Sequence, residues 1–190
     1  MKHAASRDLY AYWEERRGNR PAPERADIEP ASIRQCLSDS FVLAVGDADG
    51  SHPFRLAGTR VCALFGRELK GESFVDLWDA ASRPAVTDLL TILLSETVGT
   101  VAGVTARNKE GQRIDLELLL LPLQARRPAF ARSIGILAPF DPPYWLGTNP
   151  IGALTLGTHR HVGAPHKPRL LPRLLAPRRG LVVYEGGRTN

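Results

Sequence analysis

Cys62, one of two cysteines in this 190-residue chain, lies in the run GTRVCALFGRELKGESFVDLW, residues 58 to 78, and is the candidate there for nucleophilic chemistry. A cysteine attacks as its thiolate, so catalysis there needs a pKa lowered by a helix N-terminus or a nearby cation. Thr59, three residues earlier, is a candidate helix start, and that keeps a nucleophile reading open. Val61 and Ala63 on either side point the other way, because a free cysteine in apolar company is usually a small buried hydrophobe. Among the histidines, His52 falls in a turn between two expected strands and reads as solvated. His159 and His161 flank Arg160 and could hold a metal only with ligands from elsewhere. No Cys/His cluster has zinc-site spacing, so no metal is expected. Asp115 and Glu117 share a strand face with Arg113 and read as a solvated stripe, and Asp76 and Asp79 read as surface turn residues beside Trp78. Neither a Gly-rich phosphate loop nor a Ser/His/Asp order nor a kinase signature is present. The chain therefore reads as non-enzymatic, with an enzyme using Cys62 as the alternative.

A binding reading rests on a different set. Phe54, Leu56, Val61, Leu64, Phe65, Phe74, Trp78, Leu89 and Leu93 form an apolar wall, and Arg60 and the Trp78 indole N–H are the polar groups placed to orient a ligand. Such residues line a cavity for a small apolar molecule or interdigitate into a solid core, and the sequence leaves both open.

The elements that would position this wall follow from local pattern. Ser6 is a plausible N-cap for a helix running to Arg17, with Gly18 as its stop. Leu9, Tyr12 and Trp13 share one face of it at helical spacing. A helix this short is marginal alone, so that face must dock on its own domain or on a second copy. A short helix around residues 31–37 precedes strands at Phe41–Val45 and Pro53–Ala57, joined by a turn at Asp47-Ala48-Asp49-Gly50. Thr59 can start a short helix stopped by Gly66, and Ser82 can cap a longer one reaching Glu96. A hairpin follows, turning at Lys109-Glu110-Gly111. Ile114, Leu116, Leu118 and Leu120 point one way on its second strand. Leu119 and Leu121 break the alternation with an apolar outer face, which a helix or another subunit must cover. The last strand is expected at Ser133–Ala138.

This order, two strands, several short helices, a longer helix and a three-stranded antiparallel run, resembles a PAS domain. The local pattern Phe65-Gly66, Glu68-Leu69, Gly71, Phe74 and Leu77-Trp78 is similar to that family's. FRLAGTRVCALFGREL, RIDLELLLLPL and PYWLG resemble the short alphaproteobacterial PAS-type group formerly catalogued as a domain of unknown function. The resemblance spans about residues 5 to 160. It implies an α+β fold, a five-stranded antiparallel sheet with short helices on one face plus an N-terminal helix. It also implies a cytoplasmic bacterial sensory module for signal transduction. Such a module acts by protein–protein contact with an unidentified signalling protein, with a small apolar ligand as a further option, and is commonly a homodimer through its N-terminal helix. Leu9, Tyr12, Trp13, Leu119 and Leu121 are the candidates for that dimer contact. Flavin-photosensor members carry their reactive cysteine in an Asn-Cys-Arg motif, whereas here the motif is Val61-Cys62-Ala63. Haem ligands usually sit on the long helix or the hairpin, where this chain has no histidine. Neither cofactor is expected.

The expected organisation is a helix at 1–20, the PAS-like domain at 28–147, an extension at 148–163 whose packing is left open, and a tail at 164–190. The net charge of +5 belongs to the C-terminal end: residues 150–190 hold seven Lys/Arg against Glu185 alone. Eight of the fifteen prolines lie beyond residue 138, and PHKPRLLPRLLAPRRG reads as disordered. That tail is the basis of a second alternative, a nucleic-acid or membrane-surface binder, although the nearly neutral body gives no electrostatic reason for specific nucleic-acid binding. No apolar run reaches the length of a membrane span. With two cysteines and no export signal in the N-terminal run, the chain reads as cytoplasmic, without a disulfide framework.

Overall fold

The computed structural model describes residues 1–45, 50–124 and 131–163. Residues 47–49 of the expected turn at 47–50 and the basic tail at 164–190 lie outside the described residues. Three α-helices are described, α1 (Ala4–Arg17), α2 (Thr59–Phe65) and α3 (Arg83–Glu96). The strands are β1 (Ser40–Ala44), β2 (Phe54–Ala57), β3 (Gly99–Arg107), β4 (Arg113–Leu123), β5 (Arg132–Pro139) and β6 (Thr155–Val162). They form one antiparallel sheet in the order β2-β1-β5-β4-β3-β6. The helix expected at 31–37 is replaced by two 3-10 turns, Pro30–Ile33 and Leu37–Asp39.

Strand alternation divides the molecule into two apolar layers. On the front, Ile114, Leu116, Leu118 and Leu120 of β4 join a cluster with residues of α2, α3 and the 3-10 turn at Val75–Leu77. On the back, Leu119, Leu121 and Leu123 pack with Leu9 and Trp13 of α1 and with Ile134 and Ile136 of β5. The apolar outer face of β4 is thus covered by the chain's own N-terminal helix. Leu9, Trp13, Leu119 and Leu121, assigned from sequence to a contact between copies, are fully buried within one chain. Of that set only Tyr12 keeps some exposure, and its hydroxyl is bonded to Glu29 N and Asp27 O.

The start of α1 differs from the sequence expectation. His3, not Ser6, is the N-cap, its Nδ1 accepting from Ala5 N at 3.1 Å. Ser6 lies one turn in, buried, with its hydroxyl unpartnered. Glu117, expected on a solvated stripe, is only 4% exposed. Its two carboxylate oxygens accept from Lys2 N at 2.6 Å and His3 N at 3.0 Å. A carboxylate on free N–H groups at a helix start satisfies donors and opposes the helix dipole. Glu117→Gln keeps the shape, removes the charge and turns one acceptor into a donor. We expect it to cost about 1.5–3 kcal/mol and to speed amide hydrogen exchange in the first turn of α1 ahead of the sheet.

The sheet has six strands, one more than expected, because the extension contributes β6 along the outer edge of β3. Before reaching that edge the chain crosses the front face, burying Trp145, Ile151 and Leu154. Backbone bonds hold this strap to its neighbours: Ile151 N to Leu64 O, Leu154 N to Leu77 O, and Asp79 N to Leu154 O. Gly66 permits the contact twice over. Its φ of 65° closes α2 in a left-handed cap, and a Cβ there would run into the Pro150 ring.

Ser82 stands at the N-cap of α3 but makes no side-chain cap bond within the helix. Its hydroxyl accepts from Leu156 N at 2.9 Å instead, tying β6 to the helix. Asp79 supports the same junction, accepting from Thr155 Oγ1 at 2.6 Å and Ser82 N at 2.8 Å. The Thr155 hydroxyl foremost, and then the Ser82 bonds, hold the Asp79 carboxyl below its ordinary value of 3.8. Because the folded value is depressed, the stabilisation is present above the unfolded value and lost as pH falls through the folded one. Acid unfolding of Asp79→Asn should therefore lack part of the stability loss that the parent shows below about pH 4.

Candidate functional site

The front layer is built around an aromatic chain. Phe41, Phe54 and Phe74 stand with ring centroids 5.6 to 5.7 Å apart, and Phe74 meets Trp78 at 5.7 Å. Val61, Leu64 and Phe65 descend onto this layer from α2, and Leu90 and Leu93 from α3. The expected wall residues Phe54, Val61, Leu64, Phe65, Phe74, Trp78 and Leu93 are therefore brought into one cluster. Leu89 is buried but lies outside that cluster.

Two further candidates, Leu56 and Arg60, also lie outside it. Leu56 is 46% exposed. The register shifts between Val42 and Leu43, which pair with Leu56 and Phe54, so β2 carries one extra residue at Arg55. That bulge moves Leu56 to the face opposite Phe54. Arg60 also points outward, to a 2.6 Å ion pair with Asp39 Oδ2, the aspartate being almost wholly buried. Its role is to compensate a buried carboxylate at the start of β1.

Trp78 is 1% exposed, and its indole nitrogen has no hydrogen-bond partner. Buried indole N–H groups usually find an acceptor, and an unmet one costs free energy. The backbone locks this residue: Trp78 pairs with Leu154 of the strap, and Arg83 Nε donates to its carbonyl at 3.0 Å. Two clefts of about 380 Å³ each touch buried residues of the front cluster, one at Leu93 and the other at Phe65 and Ile151.

Cys62 is partly buried against the front cluster, its thiol 3.7 Å from Glu68 Oε1. Burial foremost, with the Glu68 carboxylate adding to it, pushes the thiol pKa up, opposite to what a nucleophile needs. Cys36 is buried, and burial raises its thiol to about 11. Thiol-reactive reagents at pH 7.5 should label both cysteines more slowly than a free cysteine, and Cys62→Ser should leave binding unchanged. Rapid labelling of Cys62 would restore the nucleophile reading.

His52, expected to be solvated, is buried at the entry to β2 in a left-handed conformation with φ of 49°. His159 and His161 stand on β6 with ring centroids 6.4 Å apart, and His161 Nδ1 lies 3.1 Å from Thr100 Oγ1. Among the described residues no group of three or more His, Cys, Asp or Glu side chains converges as a metal site would. No helix among them is long and apolar enough to cross a membrane. Sequence reasoning missed the buried Asp39 and Glu117, which lack apolar pattern, and missed the inward role of Ile151 and Leu154.

An antiparallel sheet with the strand order 2-1-5-4-3 and β6 added at its edge, with short helices and one longer helix enclosing an aromatic interior on one face, defines a small α+β domain. The family model described as PAS domain matches residues 1–138, and the chain belongs to that family. Similar solved structures include the PAS domain of an HTR-like protein from Haloarcula marismortui, with 15% identity over 58% of this chain and 91% of that one, at a TM-score of 0.41. An RNA-binding light-oxygen-voltage receptor is similar at 16% identity and a TM-score of 0.44, covering 62% of this chain and 35% of that receptor. No curated protein matches the chain.

Proposed function

We propose that this chain is a non-enzymatic sensory and regulatory module that holds a small, largely apolar ligand in its front layer and passes the bound state to a protein partner. The unpartnered Trp78 N–H carries this reading. It is a buried, unpartnered donor in a largely apolar layer, and an apolar ligand with one carbonyl, ether or carboxylate oxygen would supply its acceptor. The ligand enters by displacing side chains, because the described clefts only graze this layer. The free thiols Cys36 and Cys62 suit a reducing compartment, and we place the protein in the cytoplasm.

Native mass spectrometry of the purified chain tests the reading. We expect extra small-molecule mass on the protein, and an occupancy about tenfold less favourable in Trp78→Phe, the worth of one buried hydrogen bond. Equal ligand mass on Trp78→Phe and the parent would move the ligand away from this donor. Bare protein from both would remove the ligand from the account.

A further inference from the structure

β6 is the outermost strand of the sheet, and no strand pairs with its far edge among the described residues. The two edges of the sheet are not equivalent. Along β2, Phe54 N and O are bonded by Glu72 O and Gly71 N, and Pro53 bridges Ser73. On β6 such cover is confined to its start, where Leu156 N is bonded to Ser82 Oγ and Thr155 Oγ1 to Asp79; beyond it Gly157, Thr158, His159, Arg160 and His161 are all exposed. A row of open N–H and C=O groups on a strand edge is a template for a further strand.

The charge along this edge selects what can pair there. β6 has no acidic residue and presents Arg160 between two histidines. A groove of about 310 Å³ beside it is lined by Thr158, His159, Arg160 and Lys2, with Phe140 at its wall. Glu117, the one carboxylate in that groove, is occupied by the backbone of Lys2 and His3. Neither Arg160 nor Lys2 makes a salt bridge among the described residues. A second copy laid antiparallel on β6 would set a basic strand against itself, and like charges across a pair are destabilising. β6 also lies beyond residue 138, where the family match ends.

We propose that the open edge of β6 docks an extended acidic segment of a partner protein as a seventh strand. This names the partner class for the protein contact of the proposed function and rests on that reading. Its probe does not depend on what occupies the interior, so one can fail without the other.

The test uses the full chain and a fluorescently labelled, capped seven-residue peptide alternating Glu and Val. Controls are its Lys–Val counterpart and an acidic version N-methylated at alternate amides. We expect anisotropy to report binding of the acidic peptide alone, loss of binding on N-methylation, and about tenfold weaker binding to Arg160→Glu. Arg160 is exposed, so the fold should survive, and circular dichroism of the variant checks this. Undiminished binding to Arg160→Glu would place the contact elsewhere on the chain, the basic tail included, and overturn the proposal. Equal binding of the N-methylated peptide would reduce the contact to charge alone and overturn it too, as would failure of the acidic peptide to bind. A concentration-dependent dimer that protects the β6 amides from exchange would give the edge to a second copy, with the same consequence.

Discussion

A chain ended at Pro139 should lose cooperative thermal unfolding, whereas a chain ended at Gly163 should keep it. The shorter chain retains every residue of the family match, so the match alone gives no reason for it to fail. The packing does. Trp145, Ile151 and Leu154 belong to the front cluster, and their removal uncovers Leu64, Phe65 and Trp78 from the strap side. Losing a large buried apolar side chain costs about 2–5 kcal/mol. Three such losses approach or exceed the roughly 5–15 kcal/mol that holds a whole domain folded. The backbone bonds of Leu64, Leu77 and Arg107 to the strap disappear at the same time, as does the β3–β6 pairing. Circular dichroism melts of the two truncations read the difference directly. Equal midpoints would show that the strap is an ornament on the fold.

Trp13→Glu is the second change with a large expected effect, and its effect should be on stability. Trp13 is enclosed between α1 and the back of the sheet, with Nε1 donating to Pro122 O at 2.8 Å. Glutamate in that place removes the ring, leaves the carbonyl unpaired and buries a charge among leucines. A loss above about 4 kcal/mol is expected, the range reserved for disrupted cores. Trp13→Phe isolates the hydrogen bond and should cost about 1–3 kcal/mol. Urea unfolding distinguishes this from a residue that holds two copies together. A Trp13→Glu chain with parental unfolding midpoint would place Trp13 on an outer surface.

The sequence and the structure agree where apolar period is strong. Leu116, Leu118 and Leu120 on β4 and Val86, Leu90 and Leu93 on α3 place their elements by pattern alone, and both lie in the front cluster as their spacing requires. The aromatic interior was legible for the same reason. β6 was not, because TLGTHRHV buries little beyond Val162 and its strand state comes from pairing with β3. Leu56 misled because a bulge at Arg55 resets the alternation, and bulges leave no apolar signature. Glu117 misled in the opposite sense. Its neighbours Arg113 and Asp115 are solvated and paired with each other, yet Glu117 lies under the N-terminus of α1, which only the tertiary fold brings there. The paired destinations of α1, own sheet or second copy, could not be told apart from its apolar face, since each requires the same residues.

The most direct test of a ligand held at Trp78 is the ¹H–¹⁵N spectrum of the three indole N–H groups, recorded before and after the protein is stripped of bound small molecules on a hydrophobic resin. Trp78→Phe assigns the resonance. The account predicts that the Trp78 indole moves markedly on stripping while that of Trp13, bonded within the chain to Pro122, stays in place. An unmoved Trp78 resonance, in a protein that carries no extra mass, would contradict it.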